Sequence, residues 1–255
     1  MKFYYQDGNR IASVEKFIDL YSKDYYLKKP GERVLVHRLR RSSEYIEDEI
    51  TRILDNGIKN NDEGKREVAM IIALKTGKID HVKSQEKKNF VYTNDWQNAE
   101  QLEGVNIMGK YPIKDAVEYI VREKDELAKK DPPDFLNELK DKSIFKGIGT
   151  VYMTTLLYFL THGTYPIYDR FAHQAAKAIY LGINPNDVYI GFAPDKSKTN
   201  EFLKMYNEYC WLLSQIFGTY KISREQDQAL WVYGHVCINS FKSDDDAQKY
   251  KMFDY

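Results

Sequence analysis

Apolar positions recur at three- and four-residue spacing along most of this chain, the period of an amphipathic helix. In "SVEKFIDLYSKDYY" Phe17, Leu20, Tyr21 and Tyr25 share one face. In "SSEYIEDEITRILDNG" the stripe is Tyr45, Ile46, Ile50, Ile53 and Leu54, and Asn56-Gly57 predicts a stop. "EGKREVAMIIALKTG" repeats the pattern with Val68, Ile71 and Ile72 and ends at Gly77. "PIKDAVEYIVREKDELAKK" is expected to start at Pro112 and to bury Ile113, Ala116, Val117, Ile120 and Leu127. "DPPDFLNELKDK" opens with Asp131 as a cap and Pro132 in the first helical position. "TNEFLKMYNEYCWLLSQIFG" is a long helix ending at Gly218, and Ser223 and Gln226 have capping-box spacing before the last one.

Little of the chain alternates with a period of two. "ERVLVHRL" does so weakly, while Lys78 to Asn94 and "GINPNDVYIGFAPDKSK" read as loops. The predicted class is all-α. We expect an N-terminal helical region over 1–110, able to share a subdomain with the C-terminal helices. A second helical region follows over 111–242, then a charged tail over 243–255.

Lys+Arg and Asp+Glu number 38 each, which counts against the basic excess usual in nucleic-acid proteins but leaves room for a basic face. One strip is locally basic: Lys28, Lys29, Arg33, Arg38, Arg40 and Arg41, with His37. It reads either as a solvated surface or as a phosphate contact. The start "MKFYYQDGNR" has no apolar signal core, and no run approaches the ~18 apolar residues of a membrane span. A cytoplasmic location, no membrane and a monomer are expected. Cys210 and Cys237 lack metal-ligand spacing, so no metal and no disulfide framework is expected.

The chemistry concentrates in "KGIGTVYMTTLLYFLTHGTYPIYDRFAHQAAKAI", Lys146 to Ile179. Gly147 and Gly149 permit a tight turn between two helices. The second helix would then present N–H groups at Gly149, Thr150 and Val151 to a phosphate, with Lys146 adding charge. The plainer reading is a tight turn and nothing more. Asp169 stands alone among aromatic and apolar residues, at the start of the next helix. Its plain reading is a helix cap.

The pattern resembles the helix-hairpin-helix DNA glycosylase superfamily: Gly-hydrophobic-Gly, an apolar helix, a turn glycine (Gly163), Pro166-Ile167, then Asp169, 22 positions after Gly147. The likeness is firm over about 135–182, with the hairpin at about 135–162 and the aspartate helix at 169–181, and looser over 223–236. It implies a helical bundle or barrel of that type and a hydrolase of base-excision repair acting on double-stranded DNA damage. The site it implies is Asp169 as the catalytic carboxylate and Lys146, Gly147, Gly149, Thr150 and Val151 on the DNA backbone. No cofactor is expected beyond a monovalent cation at the hairpin carbonyls, which the resemblance also implies.

The departures narrow it. The lysine of the lyase members is Val151 here, the iron–sulfur cysteines are absent, and Phe145-Lys146 replaces the usual hydrophobic-Pro. What remains is a monofunctional glycosylase or a non-catalytic relative. A flipped base needs an aromatic or apolar pocket, for which Tyr152, Tyr165, Tyr168 and Trp231 are candidates, though each reads more readily as a core residue. His173, one turn past Asp169, is a candidate phosphate contact or proton carrier and equally a core histidine. Gln174 and His235 are weaker versions of the same expectation, and Thr154 reads as a phosphate contact or a back-bonded helix residue. The alternatives are a catalytically inactive DNA-binding protein and a helical protein-interaction module.

Overall fold

The computed structural model describes residues 3–4, 10–11, 13–24, 43–76, 79–81, 90–92, 106–107, 111–183, 188, 190 and 199–239. These residues are mostly helical. Among them the helices are α1 Val14–Asp24, α2 Ser43–Asn56, α3 Asp62–Thr76, α4 Lys114–Leu127 and α5 Pro132–Lys140. After a 3-10 turn at Ser143–Phe145 come α6 Thr150–Leu160, α7 Arg170–Leu181, α8 Thr199–Phe217 and α9 Arg224–Asn239. No helix among the described residues is long and apolar enough to cross a membrane. The basic strip at 28–41, with "ERVLVHRL", the tail at 243–255 and most of 184–198 lie outside the described residues.

The chain divides into two compact units. One comprises residues 36–167, the other residues 1–35 with 168–255. Thus α2 and α3, grouped by sequence with the N-terminal region, share a unit with α4, α5 and α6. The division falls between Ile167 and Tyr168, inside the stretch that leads to Asp169.

In unit 36–167 the core is built on α3, which packs on α4 and α6. Residues 67–72 of α3 are all buried, so its apolar positions surround it rather than forming one face. The buried run includes Glu67, only 3 % exposed. One of its carboxylate oxygens takes the Arg52 guanidinium at 2.5 Å; the other accepts the Lys59 main-chain N–H at 2.9 Å. Both oxygens are thereby satisfied, which is what lets a carboxylate sit in a core. In α4 the expected residues Ile113, Ala116, Val117, Ile120 and Leu127 are fully buried. Asp131 caps α5 by accepting the Asp134 N–H at 3.0 Å.

In the other unit α1 packs on α9, and α7 packs on both α8 and α9. Phe17 meets Tyr21 and Tyr233 at ring-centroid distances of 5.3 and 5.4 Å. Tilted and edge-on aromatic contacts of this kind add to the burial of large rings. Ser223 and Gln226 close the capping box of α9: the Ser223 N–H donates to Gln226 Oε1 at 2.8 Å, and the Gln226 N–H to Ser223 Oγ at 3.3 Å. Cys210 carries no disulfide, and burial pushes its thiol up to about 12.

Two boundaries differ from the sequence reading. Pro112 pairs with Asn106 in a short antiparallel ladder, and α4 starts two residues later at Lys114. A proline tolerates such an edge because it has no N–H to leave unpaired. The Lys78–Asn94 stretch, read as loop, contains a strand at Ile79–His81 paired antiparallel with one at Phe90–Tyr92. The β-branched and aromatic residues in these triplets suit a strand, and the intervening lysines masked the signal.

Candidate functional site

The hairpin belongs to unit 36–167. The chain leaves α5, makes the 3-10 turn, and reverses through Lys146–Gly149 into α6. Gly147 has φ +87°, a left-handed conformation that a side chain would strain. The turn closes with the Ile148 N–H donating to the Phe145 carbonyl at 3.0 Å. Phe145 and Ile148 anchor it, exposed by only 2 % and 5 %. Phe145 meets Tyr119 edge-on at 5.7 Å, and the Tyr119 hydroxyl donates to Glu138 at 2.5 Å. That bond, with Lys130 beside it, holds the Glu138 carboxyl below the usual range.

Gly149 is the N-cap of α6, extended at φ −75° and ψ 161°, and no side chain caps the helix. The first intrahelical bonds reach its carbonyl from Tyr152 and Met153, at 3.0 and 3.1 Å. The N–H groups of Gly149, Thr150 and Val151 precede that ladder, at the end of the helix that carries partial positive charge. Lys146 is exposed beside them, Val151 is half-buried, and the Thr150 residue is buried. Lys142 lies over the Tyr119 ring at 4.8 Å from its centroid. A monovalent cation at this turn would be held by main-chain oxygens alone, and those of Ser143 and Phe145 already accept N–H groups.

Asp169 belongs to the other unit. It is the N-cap of α7, extended at φ −135° and ψ 135°, half-buried, with its carboxylate accepting the Phe171 N–H at 2.8 Å. The carboxylate therefore faces the partially positive end of a helix. Beneath it is an aromatic cluster from α7 and α8. Tyr168, 2 % exposed, packs edge-on against Phe202 and Tyr209 at 5.2 and 5.7 Å. Its hydroxyl pairs with His173 Nδ1 at 3.2 Å. His173 is fully buried, and burial pushes its imidazole down to about 4. Its Nε2 stands 3.5 Å from Glu208 Oε2 without making a hydrogen bond, so the ring is neutral near pH 7 and the contact is an ion pair only after protonation. Burial, with Asp227 and Asp169 nearby, raises the Tyr209 hydroxyl well above its ordinary value.

Several predicted site residues are corrected by this geometry. His173 is enclosed by protein and has no surface to offer a phosphate. Tyr168 is a core ring, not a pocket wall. Thr154 is fully buried and donates to the Val151 carbonyl at 2.9 Å, the back-bonded alternative. Gln174 is buried and donates to the Val188 carbonyl at 3.0 Å. His235 is buried, with its ring 3.8 Å from Trp231 and 3.7 Å from Phe171.

Tyr152 and Trp231 are half-buried, as is Tyr165. Tyr165 lines a cleft of about 320 Å³ with Gly57, Ile58, Lys124, Lys130 and His162. That cleft lies at the C-terminal end of α6, the opposite end from the hairpin. Sequence reasoning missed Phe171, Glu208 and Tyr209. Phe171 was legible, since a cap needs a main-chain donor two or three residues on. Glu208 and Tyr209 come from a helix more than thirty positions away.

No protein-family model matches the chain, and neither does any curated protein or solved structure compared with it.

Proposed function

We propose that the chain is a monofunctional DNA glycosylase, hydrolysing the bond between a modified or mismatched base and its sugar. The observation that carries the reading is Asp169: a half-buried carboxylate on an extended N-cap, 22 residues after a left-handed glycine that turns the chain into an uncapped helix. As the base leaves with the bonding electrons, the sugar becomes an oxocarbenium cation. Asp169 stabilises that charge and orients the attacking water, whose oxygen joins the sugar carbon while its proton passes to the carboxylate. The N–H groups of Gly149, Thr150 and Val151, with Lys146, hold a backbone phosphate. Val151 provides no amine for a Schiff base, so hydrolysis without strand cleavage is the expected chemistry.

The test needs no knowledge of the lesion. Binding is measured to a duplex carrying one abasic-site analogue and to the undamaged duplex, at two salt concentrations. Tighter, salt-sensitive binding to the abasic duplex supports the reading, and a screen of lesion duplexes with Asp169→Asn as control follows. No binding to either duplex refutes it. A second reading is DNA binding without catalysis, favoured by the burial of Tyr168 and His173, which removes one candidate wall of a base pocket and one candidate proton carrier. It would show as abasic-site binding with no base released.

A further inference from the structure

The polar atoms under Asp169 form a chain that leads from the surface into the core. Glu208 is 42 % exposed on its side chain, His173 is fully buried, and Tyr168 is the residue before Asp169. Tyr168 Oη is 3.2 Å from His173 Nδ1, and His173 Nε2 is 3.5 Å from Glu208 Oε2. His173 also donates its main-chain N–H to the Asp169 carbonyl at 2.9 Å. His173 thus holds Asp169 through the first main-chain bond of α7 and holds the preceding residue, Tyr168, through its ring.

We propose that Glu208, His173 and Tyr168 act together as a positioning clamp for Asp169, fixing the main chain that presents its carboxylate. The clamp deepens the glycosylase reading and, as a role in catalysis, rests on it. The chemistry selects one arrangement. A neutral imidazole has one donor and one acceptor. The Glu208 carboxylate makes no hydrogen bond to Nε2, but its negative charge 3.5 Å away favours the hydrogen on Nε2 over a lone pair there. Nδ1 is then the acceptor, and the Tyr168 hydroxyl donates to it. With its proton committed, that hydroxyl has a fixed direction, and residue 168 with it. On the other side the Phe171 N–H holds the carboxylate at 2.8 Å. Asp169 is therefore fixed by its own side chain, by its carbonyl and by the residue before it.

Packing alone does not call for these groups. Phenylalanine at 168 would fill the same space, and an apolar side chain at 173 would avoid burying an imidazole. Polar groups buried in a core raise the penalty for every wrong arrangement, which is how they specify one geometry. The charged and titratable groups facing His173 are Lys177 and Tyr168 from α7 with its lead-in, and Glu208 and Tyr209 from α8; Asp227 of α9 acts on Tyr209. Lys177 is tied to Glu208 at 2.8 Å, which keeps the carboxylate in place.

The test uses the full chain with Tyr168→Phe, which removes the hydroxyl and keeps the ring. Hydrogen exchange at the Phe171 amide and the carbon NMR signal of the Asp169 carboxyl report the clamp without any substrate. The expected result is a shifted carboxyl signal and exchange faster by about tenfold, since a clamped N-terminal turn opens less often. Glu208→Gln, altered at the exposed end and safe for folding, is expected to shift the side-chain nitrogen signals of His173 away from the Nε2–H pattern. Unchanged Phe171 exchange and an unchanged Asp169 signal in folded Tyr168→Phe overturn the clamp. So does wild-type His173 with its hydrogen on Nδ1. Base release is read separately. On a duplex from which the wild type frees a base, Tyr168→Phe should lower kcat by about tenfold or more with KM unchanged. An unchanged kcat removes the catalytic role. A wild type that frees no base from any lesion duplex sinks the glycosylase reading, while the exchange result still decides the clamp.

Discussion

A Cβ placed on Gly234 of α9 would stand 2.1 Å from the carbonyl oxygen of Phe171 in α7. The two helix backbones meet there, two residues from Asp169. No L side chain fits such an approach without moving a helix, because the obstacle is main chain rather than a flexible tip. Gly234→Ala should therefore destabilise the unit by about 2–3 kcal/mol or more, the range of overpacked cores. A melting temperature equal to the wild type's would show that the approach relaxes freely.

Asp169→Asn keeps a side-chain oxygen for the Phe171 N–H, and Asn caps helices as well as Asp does. The fold should hold to within about 0.5 kcal/mol, and DNA binding should persist. Base release should fall by about a hundredfold or more, as when a preorganised charge-stabilising group is lost. Single-turnover rates alongside thermal melts separate the two effects. Activity that survives on a confirmed substrate removes the carboxylate from the mechanism.

The His173 imidazole sets an acid limit. Burial brings it from 6.5 down to about 4 in the fold, so between those values the unfolded chain binds the proton and the folded chain does not. The stability held above pH 6.5 should thus decline as the pH falls toward 4. The slope is at most about 1.4 kcal/mol per pH unit, and the total about 3 kcal/mol. Urea melts at pH 7 and pH 4.5, with His173→Gln as the comparison, check it. The variant should be less stable at pH 7 and show a shallower decline.

Glu67 is 3 % exposed and holds both Arg52 and the Lys59 N–H. Glu67→Ala leaves the Lys59 amide without its partner and Arg52 with Glu49 alone. A loss of about 1–3 kcal/mol is expected, the cost of leaving a buried polar group without its partner. Denaturant midpoints measure it, and a loss below about 1 kcal/mol would mean that water replaces the carboxylate.

Gly147 at φ +87° sets the hairpin turn. Gly147→Ala should cost about 1–2 kcal/mol through left-handed strain. It should also weaken abasic-duplex binding, because the N–H groups that follow it shift. A weakened fold with unchanged DNA affinity would assign the turn to structure alone.

Periodicity revealed the helices because a helix is a local object. The capping box of α9, the Asp131 cap and Asp169 at the head of α7 are set by residues within four positions of one another, and each was legible. So was the mostly helical class. Less legible were the Ile79–His81 and Phe90–Tyr92 ladder, whose partners are about ten positions apart, and the start of α4, which Pro112 spends in a strand. Burial was the larger gap. Nothing local distinguishes an exposed histidine on α7 from one enclosed by α8, so His173 and Tyr168 stay open both as site residues and as core. The sequence by itself determined the elements, their caps and the lone carboxylate at a helix start. The tertiary structure decided which polar groups are sealed from water, because sealing depends on helices that the chain brings together from more than thirty residues away.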